Sequence, residues 1–224
     1  MASTSLSHSH AHHHAVPVDA WPRDVHYGKA SVGKIGMWIF LLSDALMFAG
    51  FLLAYGILRG GAEVWRHAKE PVYGINFTAG LTFLLICSSV TMVLAYAAAV
   101  ERNRKKLVLF LALTAIGGML FLLGQYEEYF GIIHPGLTKR GLVFGSSHYA
   151  TCFYIITSFH GMHVFTGVVL LWIMTFRAAM GKYDHGAYDH IEITGLFWHF
   201  VDLIWILVFT LVYLIPADPP PGLS

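Results

Sequence analysis

Five ionisable side chains, Asp44, His160, His163, His199 and Asp202, interrupt long apolar runs that hold no other charge. Where such a run crosses a bilayer, a charged group near its centre costs about 3 kcal/mol on insertion scales, so it marks a functional or packing-critical position. Imidazoles and carboxyls placed this way have three uses. They lock helices together, each acid pairing with a histidine or a Trp N–H. They relay protons or ions across the membrane. Or His160, His163 and His199 ligate a haem or a metal, for which His160 and His163, three apart, share one helix face. The zincin arrangement, two histidines at i and i+4 with a catalytic glutamate, is absent. Residue types alone leave all three uses open.

Apolar stretches must position this chemistry. Of 224 residues, 56% are hydrophobic and only 12% charged, against about 25% charged in a soluble domain. Five stretches, at 35–58, 77–100, 107–126, 150–176 and 195–215, approach the ~20 residues that span a hydrocarbon core. All eight prolines lie outside them, as unbroken helices with internally satisfied backbones require. The sequence predicts an all-α integral membrane protein built as a five-helix bundle. Residues 1–31 form a polar, His-rich, disordered tail, 32–216 the transmembrane domain and 217–224 a short external tail.

With a cytoplasmic N-terminus, nine of the 14 Lys and Arg residues fall on the inside, chiefly through Arg102, Arg104, Lys105 and Lys106, and five on the outside. The positive-inside rule favours that orientation. Counting ~1.5 Å per residue from the inner ends, Asp44 lies roughly 13 Å deep, His199 about 6 Å, Asp202 about 10 Å, and the His160–His163 pair about 14–24 Å depending on where its span ends. Asp44, Asp202 and His163 are thus expected to share a layer. At the other end of the third span, Glu127 and Glu128 sit among Tyr126 and Tyr129 at interface level, where acids reach water.

The remaining signals are weaker. His8, His10, His12, His13 and His14 could bind a transition metal weakly, and the same stretch shows no apolar core of a cleavable leader. Cys87 and Cys152 have no CxxC or paired framework and read as small buried hydrophobes. Glycines recurring in the spans, Gly118 and Gly167 among them, favour close helix approach.

Four motifs carry a resemblance. Trp198-His199-Phe200-Val201-Asp202, with Trp205 and Phe209, resembles the last transmembrane helix of subunit III of haem–copper cytochrome c oxidases. Phe159-His160-Gly161-Met162-His163-Val164 resembles that family's Phe-His-Gly-Leu-His-Val motif, and Gln125 with Glu128-Tyr129 its Gln-x-x-Glu-Tyr element. Ser43-Asp44 with Phe48 resembles a Ser-Glu-x-x-x-Phe segment, with Asp44 replacing the usual Glu. The motifs occur in family order over about 32–215, and five spans match the short bacterial form.

The resemblance implies a non-catalytic subunit of a bacterial aa3- or caa3-type oxidase in the inner membrane. Such a subunit holds no redox centre or metal of its own and binds phospholipid. It docks on subunit I, with subunit II and a respiratory supercomplex as further partners, and sustains proton uptake to the oxygen-reducing site. Haem A and copper belong to the partner subunits, and nucleic acid is not a partner. Asp44 takes the place of the family's buried carboxylate, Glu192 that of an acid seven residues before the Trp-His-Phe histidine, and Arg177 that of a lipid head-group ligand. Alternatives are the equivalent subunit of a quinol oxidase, a homologue linked to nitric oxide reduction, and, from another class, a proton-coupled carrier using Asp44 and Asp202.

Overall fold

The computed structural model describes residues 31–62, 65, 75–133, 135–183 and 188–214. The expectations for residues 1–30 and 215–224, including the five tail histidines, lie outside the described residues. Five helices follow in order: α1 (Val32–Gly60), α2 (Ile75–Val100), α3 (Arg104–Phe130), α4 (His148–Ala179) and α5 (Asp189–Val208). A π-helical stretch, Phe209–Tyr213, continues α5 without a break. Each of the five is long and apolar enough to cross a membrane.

The helices outrun the apolar stretches because polar residues cap them beyond the hydrocarbon region. Ser31 accepts from the Lys34 N–H, Asn103 from the Lys106 N–H and Ser147 from the Ala150 N–H. Each satisfies one of the orphan donors of a first turn. α5 starts six residues before the predicted Gly195, with Asp189 and Glu192 in its first turn, where negative charge complements the helix dipole. Between α2 and α3 the chain reverses through a Schellman turn. Asn103 N–H donates to Ala98 O at 2.9 Å and Arg102 N–H to Ala99 O at 3.1 Å, with Arg102 at φ 56°.

α2, α3, α4 and α5 pack in a closed ring, and α1 leans on the α4–α5 side of it. α1 buries only Leu41, Asp44, Phe48 and Tyr55, a stripe spaced for one narrow helix face. α2 contributes Thr78, Thr82, Leu85, Ser88, Met92 and Ala95 to the interior. Two hydroxyls of that face, Thr82 and Ser88, meet indole N–H groups of α5. Cys87, expected to be buried, instead lies on the exposed face of α2, and Cys152 is half-buried. The period explains this. Cys87 neighbours Ser88 in sequence and so points about 100° away from the buried stripe.

The tightest approach is a slot for one indole. Trp198, 1% exposed, lies between Gly118 of α3 and Gly167 of α4. A Cβ on Gly118 would stand 2.5 Å from Trp198 Cη2, and one on Gly167 2.9 Å from Cε3. No larger residue fits either wall.

Candidate functional site

The structure resolves the buried polar residues into three groups. The first joins α1 to α4. Asp44 Oδ1 stands 3.2 Å from His163 Nε2, and His163 Nδ1 lies 2.8 Å from the Phe159 carbonyl oxygen. A carbonyl only accepts, so Nδ1 carries a hydrogen and Nε2 is the nitrogen that shares a proton with the carboxyl. The pair is walled by Phe48 and Phe159, whose ring centroids lie 5.4 and 4.8 Å from that of His163. Asp44 is 3% exposed, and its Oδ2 has no partner among the described residues.

His160, one turn away, does not join this pair. It is fully buried, and neither ring nitrogen has a hydrogen-bond partner among the described residues. It stacks on Trp205 at 4.9 Å with the planes 29° apart, and the Phe121 edge meets it at 5.9 Å. It packs as an aromatic ring packs.

The second group joins α5 to α2. Ser89 Oγ donates to Asp202 Oδ2 at 2.7 Å and lies 3.3 Å from His199 Nδ1. Ser89 therefore bridges the histidine and the acid. Flanking it, Trp198 Nε1 donates to Ser88 Oγ at 3.1 Å and Trp205 Nε1 to Thr82 Oγ1 at 2.9 Å. The Trp N–H groups thus go to hydroxyls of α2 rather than to acids. No hydrogen bond or ion pair among the described residues links Asp44 to Asp202. The polar residues expected at one depth pair as two separate helix–helix clamps.

The third group lies at the α3–α4 end. Glu128 is 1% exposed, which corrects the expectation that it reaches water. The connection after α3 folds back over it, with Leu137 N–H donating to Glu128 O. Its Oε2 accepts from Tyr213 OH at 3.1 Å. The π turn makes that contact. Trp205, Val208 and Val212 follow the buried α-helical face, and the wider turn swings the next residue, Tyr213, onto it as well. The neighbouring Glu127 is half-buried, its carboxylate accepting from the N–H groups of Ile132 and Ile133. Beside Glu128, the Gln125 amide donates to Thr157 O at 2.7 Å, and Tyr129 OH shares a 2.5 Å bond with Thr157 Oγ1.

Two residues lie toward the opposite end. Glu192 pairs with Lys34 at 2.6 Å, joining the first turns of α5 and α1. The Arg177 guanidinium sits 5.8 Å from the Tyr183 ring centroid, close to where Arg104 donates to Ala179 O.

Residue reading missed Ser88, Ser89, Thr82 and Tyr213. The signal was present for Thr82 and Ser88. Hydroxyls at 78, 82 and 88 recur at helical spacing along α2, and that regularity marks one face. The histidines do not converge. His163 faces Asp44, His160 faces Trp205 and His199 faces Ser89, and no three His, Cys, Asp or Glu among the described residues form a metal-binding group.

A sequence model of the family described as cytochrome c oxidase subunit III matches residues 24–216. Cytochrome c oxidase subunit 3 of Thermostichus vulcanus is 35% identical over 182 residues, 81% of this chain and 86% of the relative. The protein of that name from Synechocystis sp. is 33% identical over 191 residues, 85% of this chain and 78% of its own length. Cytochrome bo(3) ubiquinol oxidase subunit 3 of Buchnera aphidicola is 30% identical over 179 residues, 80% of this chain and 84% of the relative. The helices that carry Asp44, Glu128, His163 and Asp202 all fall inside the matched range, and the chain belongs to the cytochrome c oxidase subunit III family.

Proposed function

We propose that this chain is the non-catalytic subunit III of an aa3- or caa3-type cytochrome c oxidase of a bacterial inner membrane. It sits with subunits I and II in the aerobic complex that reduces oxygen to water and pumps protons, and it stabilises subunit I and supports proton uptake from beside it. The supporting observation is the direction in which its costly buried groups point. Asp44–His163, Ser89–Asp202 and Tyr213–Glu128 each connect two helices of this chain. Groups spent on interhelical contacts give a rigid scaffold, as polar pairs in membrane bundles do. The Lys/Arg asymmetry supports a cytoplasmic N-terminus. Arg177 then lies at the inner interface, where a planar guanidinium suits a lipid phosphate.

A second reading, the same subunit in a quinol oxidase, draws on the Buchnera relative, whose printed name is that of a ubiquinol oxidase subunit. Isolation of the native complex through a handle on this chain separates the two. Haem A, a Cu_A-bearing subunit and turnover with reduced cytochrome c support the first, and quinol turnover without Cu_A the second. Recovery of the chain with no haem-bearing partner, together with proton flux by the chain alone in liposomes, would replace both with the carrier.

A further inference from the structure

The bridge at Ser89 fixes which nitrogen of His199 carries the hydrogen. Ser89 Oγ gives its only hydrogen to Asp202 Oδ2 at 2.7 Å, so the same oxygen, 3.3 Å from His199 Nδ1, can only accept from it. Nδ1 therefore holds the ring hydrogen, and Nε2 of the neutral imidazole is left as a bare acceptor. Nε2 has no hydrogen-bond partner among the described residues, and it is not sealed in the interior. The two ring nitrogens diverge, so with Nδ1 turned to Ser89 of α2 the Nε2 lone pair points away from that contact.

Two grooves reach His199. The one between α2 and α5 holds about 160 Å³, short of the ~300–1,000 Å³ of ordinary ligand pockets. The one between α1 and α5 holds about 380 Å³, and its other lining side chains are hydrocarbon or aromatic, with Trp38, Leu42 and Ala45 facing Phe200 and Leu203. The Lys34–Glu192 ion pair, which joins the first turns of α1 and α5, marks the polar end of this groove. His199 stands seven residues beyond Glu192, roughly 10 Å deeper at ~1.5 Å per residue. At that level the bilayer offers hydrocarbon, and an acceptor facing hydrocarbon goes unmet at a cost.

An apolar, ring-walled trough with one acceptor at this depth fits a flat apolar molecule that carries its own O–H. We propose that the α1–α5 groove binds a membrane quinol, a hydroquinone ring on an isoprenoid tail, with one phenolic O–H donating to His199 Nε2. The ring lies against Trp38 and Phe200, as aromatic faces and edges pair, and the tail leaves between Leu42 and Leu203 into the bilayer. The oxidised quinone has two carbonyls and no donor, so it sets acceptor against acceptor and binds less well. The groove thus distinguishes the reduced ligand from the oxidised one, and binding itself transfers no electron. The site rests on the membrane placement of the five helices and holds for either oxidase type.

The test uses the intact complex in vesicles of phosphatidylethanolamine and phosphatidylglycerol, kept anaerobic with cyanide to stop turnover. A photoactivatable azido-ubiquinone is added in its reduced form to one sample and in its oxidised form to another. Mass spectrometry is expected to find label on peptides covering 38–45 and 196–203. The reduced probe is expected to reach half-maximal labelling at about one-tenth of the concentration the oxidised probe needs, the effect of one hydrogen bond left unmade. His199→Phe, which keeps a ring but removes the acceptor, is expected to weaken quinol labelling about fivefold and to abolish the preference. Leu203→Trp, which fills the groove from a position 57% exposed, is expected to abolish the label. Should either variant fail to assemble, the comparison of the two probes on the wild-type complex decides alone. Equal concentrations for the two forms, absence of label from both peptides, or cross-linking of Trp38 to a partner polypeptide in its place overturns the proposal. A haem spectrum of the same sample shows independently whether the oxidase assignment stands.

Discussion

Replacing Gly118 with alanine probes the closest packing in the bundle. The added methyl would stand 2.5 Å from Trp198 Cη2 and 2.6 Å from Val168 Cγ2. The indole has little room to yield, because its Nε1 is tied to Ser88 Oγ at 3.1 Å and Gly167 closes the opposite side. Overpacking of this kind costs about 1–3 kcal/mol. Alanine regains about 1 kcal/mol of helix propensity over glycine. With the clash at the high end, Gly118→Ala is expected to lose about 1–2 kcal/mol net. Gly50 of α1 supplies the control, because a Cβ there meets nothing within 4 Å. Gly50→Ala is expected to be neutral or to gain up to about 1 kcal/mol from propensity alone. Unfolding in mixed micelles with increasing dodecyl sulfate, followed by circular dichroism, measures both variants against the parent. Equal stability of the two, or a Gly118→Ala bundle as stable as the parent, would refute the slot.

Three further perturbations address the polar clamps and the turn. Tyr213→Phe leaves the Glu128 carboxyl without its one hydrogen-bond donor among the described residues, and the same titration should register a loss of about 1–3 kcal/mol. Arg102→Gly relieves a non-glycine residue at φ 56°. It should therefore raise bundle stability by about 1 kcal/mol, and a lower stability would contradict the turn assignment. Asp44→Ala breaks the α1–α4 clamp. In the assembled oxidase it should leave the initial oxygen-consumption rate near normal but shorten activity during sustained turnover or release the subunit more readily. An unchanged rate, lifetime and subunit content would deny Asp44 that role.

Much of this architecture was legible before any coordinates, because lipid imposes a coarse rule. A span must be long, apolar and free of proline, and all five were found from that alone. The ends were less legible. α5 begins at Asp189 rather than near Gly195 because hydropathy detects hydrocarbon burial, whereas a helix continues wherever first-turn acids stabilise it. Depth put Asp44, His163 and Asp202 at a similar level without saying which of them meet, and the contact of α1 with α4 is what pairs Asp44 with His163. The partner of Asp202 did not follow. Depth places a residue along the membrane normal but says nothing of the helix rotation that turns Ser89 toward it. Glu128 was misread for a related reason. Its interface depth suggested water, but the fold of the connection and a π turn near the end of the chain, neither marked by a motif, bury it.

If this chain is a supporting subunit and not a redox or transport centre, then the oxidase should function without it for a time. The measurement is a comparison of the native complex with the complex depleted of this chain, reading the haem difference spectrum and oxygen consumption over many turnovers in the same samples. The expected result is an unaltered spectrum, initial oxygen reduction retained and a shortened active lifetime that re-addition of the chain restores. Loss of haem absorbance, or loss of all activity from the first turnover, would contradict it.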